Sequence, residues 1–336
     1  MTKHNEIPYL DMHVSCEPLR LLTEPFTDLQ GSTMFEKRES FKTRYDGLRR
    51  LVLCEPRGHS DNYGAVITPP LRPDSSFGIL FMYSSGMSPM CGHGTIAVAR
   101  AAVELGLVKV CEGRNKFLID VPASQICCIV DVKDGEVIRS GFENDVSFTY
   151  ALDKTIDVEG LGTVPVEIGY GGAFMVFVKD TALGIDLERD SVSRLVDIGI
   201  RCRDAFMAQM NAVHPRRPDI QSRNEGICLI MTREPRLEGD VVYTRCFTVF
   251  GDRQYDRSPT GTGTSALAAI LYEKGILKES GKLINYGPSN IPFEAIVRPV
   301  KGGVIPQVLG RPFITAKGIF LLEDADPIRE GYKERK

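Results

Sequence analysis

CGHGTIAVARAAVELGLVK, residues 91–109, returns 169 positions later as TGTGTSALAAILYEKGILK, residues 260–278. The copies share Gly92/Gly261, Gly94/Gly263, Thr95/Thr264, Ala97/Ala266, Ala99/Ala268, Glu104/Glu273, Gly106/Gly275 and Lys109/Lys278 without a slip in offset. A repeat of this kind predicts two halves of similar build. Each copy opens with glycines suited to a tight turn, continues with good helix formers, and closes on a glycine where a helix should stop. Pro89 and Pro259 stand just upstream and disfavour helix before the turn. Each copy therefore reads as a loop feeding the N-terminus of a buried helix. The conspicuous mismatch is the first position, Cys91 against Thr260.

That mismatch bears on chemistry. The free N–H groups of a helix start bind anions, and the helix dipole adds to the effect. Glycine lets a ligand approach the backbone closely. A thiol placed there is shifted toward the thiolate at neutral pH. Two such helix starts acting together would hold a carboxylate from two sides and set Cys91 against one face of the neighbouring carbon. The plainer readings are a buried cysteine acting as a small hydrophobe and a turn with its cap. The duplication favours function, because two polar, glycine-rich helix starts are costly to keep in a core for packing alone.

Beyond the repeat, MCGHGT at 90–95 and DRSPTGTGTSA at 256–266 resemble the two signature segments of the proline racemase superfamily. EPRGHSDNYGA at 55–65, LDMHVSCEPLR at 10–20 and GYGGAF at 169–174 match it too, so the resemblance covers nearly the whole chain. Racemases and 4-hydroxyproline epimerases of that family carry Cys at both signature positions. Thr260 at the second resembles the trans-3-hydroxy-L-proline dehydratase branch. The resemblance implies a diaminopimelate-epimerase-like fold, with each lobe a sheet wrapped around one central helix and the active site in the cleft between the helix starts. It also implies a substrate-binding role for Asp256.

Composition sets the frame. The 336 residues suit two domains with real cores, and 43% hydrophobic with 25% charged residues is ordinary for a soluble globular protein. A net charge of −3 suggests no nucleic-acid partner. No apolar run is long enough for a membrane span, and the first residues, MTKHNEIPYLDMH, lack the apolar stretch of a signal peptide. A cytoplasmic enzyme follows as the expectation. The nine cysteines are odd in number and form no CxxC pair, so neither a disulfide framework nor a metal site is expected. Cys91 alone has a reactive setting, with Cys16 in the loop-like VSCEP as runner-up.

Taken in order, residues 7–22 read as strand, turn, strand, and 47–56 (GLRRLVLCEP) as a strand ending at Pro56. In the polar loop that follows, Arg57, His59 and Asp61 are either substrate contacts or, preferably, braces for the Cys91 turn. Residues 129–142 form a hairpin turning at Asp134-Gly135. VPVEIGYGGAFMVFVKD restarts the pattern of the first 20 residues, and 191–210 has helical spacing. NEGICLIMT and VVYTRCFTVF read as strands. A charged tail from Asp324 is expected to fray at its end. The sum is an α+β chain of two similar lobes, 1–155 carrying Cys91 and 156–336 carrying Thr260, with the last strand free to return to the first lobe.

For function, these residues point to cofactor-independent chemistry at the α-carbon of a cyclic amino acid. No phosphate-binding loop or dinucleotide fingerprint appears. Cys91 is the candidate general base. The backbone around Gly92-His93 and Gly261-Thr262 supplies donors for the substrate carboxylate. Asp256 is either the acceptor for the ring ammonium, or a turn residue or partner of Arg257. His93 either orients the ring or thiol, or is a loop histidine bonded to backbone. Thr260 is too weak an acid or base to mirror Cys91, so elimination from a 3-hydroxyproline replaces racemisation, with Thr260 as the catalytic-site residue that positions the departing hydroxyl through a hydrogen bond. A 4-hydroxyproline epimerase, a proline racemase and a non-catalytic imino-acid-binding protein are the alternatives. The partner expected is the small hydroxyproline substrate, with a homodimer left open.

Overall fold

The structure, a computed structural model, describes residues 6–332. Residues 1–5, the start of the segment read as lacking a signal peptide, and residues 333–336, where fraying is expected, fall outside the described residues. The chain divides into two compact units, one up to Phe142 and again from Arg311, the other Glu143–Gly310.

The first unit contains β1 Glu6–Val14, β2 Glu17–Leu22, α1 Met34–Leu53, β3 Tyr63–Thr68, β4 Ser75–Tyr83, β5 Gly86–Ser88, α2 Gly92–Glu104, β6 Gly113–Asp120 and β7 Gln125–Lys133, and leads out through β8 Glu136–Glu143. The second contains β9 Phe148–Val158, β10 Gly162–Tyr170, β11 Phe174–Lys179, α3 Asp180–Leu183, α4 Val192–Gln209, β12 Val213–His214, β13 Arg217–Gln221, α5 Ser222–Glu225 and β14 Cys228–Thr232. It continues with β15 Arg236–Glu238, β16 Val241–Phe250, β17 Gln254–Asp256, α6 Gly261–Glu273, β18 Lys282–Tyr286, β19 Phe293–Val300 and β20 Gly303–Gly310. Finally β21, Pro312–Leu321, pairs antiparallel with β1 of the first unit.

Pairing in the first unit runs β21-β1-β2-β3-β4-β6-β7, with β5 beside the end of β4. In the second it runs β9-β10-β11-β14-β16-β18-β19-β20, with β17 beside the end of β16. The parallel pairs fall at matching places, β2–β3 with β11–β14 and β4–β6 with β16–β18. The first unit ends before the expected residue 155 because β9 pairs with β10 and so belongs to the second unit. β21 fills in the first unit the place that β9 fills in the second.

Each sheet wraps a helix. α2 packs on β1, β2, β3, β7 and β21, so strands from both ends of the sheet reach it. α6 packs on β9, β10, β11, β19 and β20, and Ser147 and Val304 exchange backbone hydrogen bonds of 2.8 Å that close the second sheet on itself. A helix apolar on every side must be buried. Gly261–Leu271 are buried without exception, as are Gly92–Ala99, Ala101 and Ala102. Their small side chains let the strands close in. At Gly171, in the β10–β11 turn, a Cβ would sit 2.3 Å from the Thr262 carbonyl oxygen of α6, so only glycine fits. Both helices stop as expected, with Gly106 at φ 67° and Gly275 at φ 70°.

The outer faces are covered by α1 and α4. Met34, Phe41 and Leu51–Leu53 pack with Leu22, Val66, Leu80 and Met82 in the first unit. Leu195, Ile198, Cys202 and Phe206 pack with Leu229, Met231, Phe247 and Val249 in the second. α4 and the Asp134-Gly135 turn, with both φ positive, match the sequence reading. Residues 47–56 do not, because they end a helix rather than form a strand. The helix start carries a capping box in which Thr33 and Glu36 bond each other's backbone. Polar residues follow it, and the terminal Leu51-Val52-Leu53 mimics a buried strand. The described tail is held, with ion pairs Arg57–Asp326 and Arg50–Glu330 and a bridge from Tyr332 to Glu55.

His214 stacks edge-on against Phe148 and Tyr170, and its Nδ1 accepts the N–H groups of Arg216 and Arg217 at 3.2 and 3.1 Å. Burial first, then Arg217 and Arg216, lowers its pKa below 6.5. The unfolded chain therefore takes up a proton near pH 6.5 that the folded chain refuses, and stability is lost as pH falls below that value. Denaturant melts between pH 7 and pH 5 should show this loss, and His214→Asn should flatten it.

Candidate active site

Cys91 is the N-cap of α2, with extended backbone at φ −135°. Its sulfur accepts the Gly94 N–H at 3.3 Å and lies 3.4 Å from His93 Nδ1. The Gly94 N–H and the helix dipole favour a charged sulfur. Thr95 returns its N–H and hydroxyl to the Cys91 carbonyl at 2.9 and 2.7 Å, fixing the cap. Cys91 and His93 are 5% and 4% exposed, and the imidazole meets the Tyr63 ring edge-on at 4.9 Å. A Cβ at Gly94 would lie 2.7 Å from Phe81 and 2.9 Å from the sulfur, so the glycine keeps the thiol's seat open. Gly92 opens the helix.

The second helix start differs from the first. Thr260 sits at φ 60°, ψ 107° and makes no side-chain cap. For a β-branched residue that backbone costs about 1–3 kcal/mol. Its Oγ1 lies 2.8 Å from Asp256 Oδ2 and 2.8 Å from Thr248 Oγ1. Asp256 Oδ1 accepts the Ser258 N–H at 2.7 Å, and Ser258 Oγ accepts the Thr260 N–H at 3.1 Å. Asn285 clamps the loop from β18, donating to Thr264 Oγ1 and the Pro259 carbonyl. Gly261 and Thr262 open α6 and are buried.

The structure thus joins Cys91 to His93, and Asp256 to Thr260. Asp256 bonds the loop and Thr260, while Arg257 stacks on Tyr255 at 4.2 Å. Arg57, His59 and Asp61 lie in a braced loop. Arg57 pairs with Asp326, its carbonyl accepts from Arg20, and His59 Nδ1 accepts the Asp61 N–H at 3.2 Å. Sequence reasoning missed Thr248, Ser258 and Asn285. The signal for Thr248 was the alternation Thr244, Cys246, Thr248 along VVYTRCFTVF.

The remaining cysteines are poor nucleophiles where they are buried. Burial, then the charge of Asp256, pushes Cys228 and Cys246 up to about 12, and burial takes Cys202 to about 11. Cys16 and Cys111 are exposed. In a Cys16→Ser/Cys111→Ser protein at pH 7.5, peptide mapping after iodoacetamide should find Cys91 carboxymethylated and Cys202, Cys228 and Cys246 unmodified.

Comparison with known proteins agrees with this architecture. Residues 9–333 match the family described as proline racemase. A trans-3-hydroxy-L-proline dehydratase of Colwellia psychrerythraea is 35% identical, over 96% of this chain and 91% of its own length. A proline racemase of Clostridioides difficile is 33% identical over 97% of each chain. The crystal structure of a hydroxyproline epimerase from Agrobacterium vitis, with bound trans-4-hydroxy-L-proline, superposes with a TM-score of 0.87 at 23% identity, over 99% of this chain and 96% of the other. That likeness establishes the fold, the diaminopimelate-epimerase-like one expected. A sheet-wrapped helix in each unit, a reactive-type cysteine at one helix start and a family match along nearly the whole chain lead to one conclusion: this protein is an enzyme of the proline racemase family.

Proposed function

We propose that this enzyme dehydrates trans-3-hydroxy-L-proline to Δ1-pyrroline-2-carboxylate without a cofactor, with Cys91 as the base. The observation that carries the reading is the asymmetry of the two helix starts. One holds a sulfur that accepts an N–H and sits beside an imidazole. The other holds a hydroxyl bonded to a carboxylate. The reading requires that both serve one substrate molecule. Racemisation needs two groups that exchange protons on opposite faces of the α-carbon. A threonine hydroxyl does not ionise near neutral pH, so this chain has one such group.

The substrate's own geometry supports a single-base route. In trans-3-hydroxy-L-proline the hydroxyl and the carboxylate lie on opposite faces of the ring, so the α-proton and the hydroxyl share a face. The Cys91 thiolate takes the α-proton, and the N–H groups at Gly92-His93 and Gly261-Thr262 hold the carboxylate as charge builds on it. The C3–O bond then breaks, and the thiol returns its proton to the departing oxygen. Water leaves, an enamine forms, and Cys91 is a thiolate again. Tautomerisation of the enamine gives the imine product. Asp256 accepts from the ring ammonium.

A second reading, an isomerase acting on 4-hydroxyproline or proline, is favoured by the comparable identity of the proline racemase relative. Incubating the protein with trans-3-hydroxy-L-proline and trapping product with o-aminobenzaldehyde separates the two. Product should form, and Cys91→Ser should reduce it by roughly 10²–10⁴-fold. No product, with α-deuterium exchange into trans-4-hydroxy-L-proline or L-proline instead, would establish the isomerase. Inertness toward all three would point to an imino-acid-binding protein. Thr260→Cys should raise α-deuterium exchange into trans-4-hydroxy-L-proline, because it restores a second thiol.

A further inference from the structure

Thr248 lies on β16, directly across from Asp256 on β17 in the strand register. Cross-strand partners put their side chains on one face of the sheet, and here both reach Thr260. Thr248 is 1% exposed, Asp256 5% and Thr260 7%. The three polar groups are therefore tied together away from bulk water. Hydrogen-bond bookkeeping fixes the direction of the chain. A carboxylate only accepts, so the single Thr260 proton goes to Asp256 Oδ2 at 2.8 Å. Thr248 Oγ1 lies 2.8 Å from the same oxygen; two hydroxyls that close share a proton, and with Thr260's given to the carboxylate the proton count leaves Thr248's. Cys246, the next polar residue on the same face, stays a thiol and gives its own proton to the Pro259 carbonyl at 3.3 Å.

With its proton committed to Asp256 and one lone pair filled by Thr248, Thr260 has one lone pair left. It can only accept from a bound molecule. Thr260 Oγ1 and the Asp256 carboxylate together make a seat of two acceptors, which matches the two N–H groups of a ring ammonium. We infer that Thr248 is a positioning residue that locks the Thr260 hydroxyl as an acceptor for the substrate's ring nitrogen, so that this helix start binds the imino acid rather than transferring a proton. The inference rests on the reading that Asp256 and Thr260 meet the substrate. It gives position 260 a binding role where a second thiol would give it an acid–base role.

The test uses Thr248→Val, which keeps shape and removes the hydroxyl, with Thr248→Ser as the conservative control. An interaction made equally in ground and transition states changes KM and leaves kcat alone. Thr248→Val should raise KM for trans-3-hydroxy-L-proline about 5- to 20-fold with kcat within about threefold, and Thr248→Ser should return KM to within about twofold of the starting protein. Thr260→Val should weaken binding in the same sense. The double variant should be no worse than Thr260→Val alone, because both changes break one chain. Calorimetric titration of trans-3-hydroxy-L-proline into Cys91→Ser protein, which cannot turn over, should show the same rise in Kd when Thr248→Val is added. That series separates two failures. A starting protein that binds but forms no product sinks the dehydratase reading and leaves the Thr248 effect on Kd to stand on its own. Unchanged Kd and KM in Thr248→Val, a fall in kcat with KM held, a loss in Thr248→Ser equal to that in Val, or full additivity with Thr260→Val would each overturn the role of Thr248. Thr248→Ser folds with one methyl group fewer, so a Val variant that fails to fold leaves the Ser and Thr260→Val comparisons to decide.

Discussion

The structure depends on a helix that has no solvent-facing side. α2 and α6 are enclosed by their own sheets, so their first N–H groups have lost both helical partners and bulk water. Buried donors of this kind must find acceptors. In α2 one acceptor is a cysteine sulfur; before α6, Asp256 and Ser258 accept the N–H groups of Ser258 and Thr260, and Asn285 of β18 donates to the Pro259 carbonyl. The requirement for small residues follows from the same enclosure. Alanines along the helix and glycines where strands touch it are what allow the sheet to close.

Duplication gave both units the same problem, and they have solved it differently. At Cys91 the backbone is extended and the side chain caps the helix. At Thr260 the backbone is left-handed and the side chain turns toward a carboxylate and a second hydroxyl. One substitution in sequence thus corresponds to a change in backbone, in hydrogen-bond partner and in proton direction.

The repeat, the two buried helices and their glycine stops were legible because a turn, a helix period and a C-cap each leave a local mark. α1 was not, although Thr33 and Glu36 mark its start, because the polar run after them has no clear apolar face and its last turn is three consecutive hydrophobes. Cys91, His93, Asp256 and Thr260 were legible as candidates from their place before a helix. The Thr248 contact was hidden for a different reason. Around Thr248 β16 is buried on both faces, so the alternation that puts Thr244, Cys246 and Thr248 on one face does not say what that face meets, and only the register with β17 brings Thr248 to Asp256. The positive φ of Thr260 also has no local signature, since it is imposed by the network around it.

The place of β21 has a consequence for biosynthesis. The strand that covers the outer edge of β1 is made last, after the whole of Glu143–Gly310. At roughly 5–20 residues per second a ribosome needs on the order of 10–30 s to make that stretch. Throughout that interval the N-terminal unit has emerged with an unpaired strand at its margin, the kind of edge that recruits other chains. Nascent-chain chaperoning and rapid completion of the second unit matter more here than in a protein whose two halves are sequential beads.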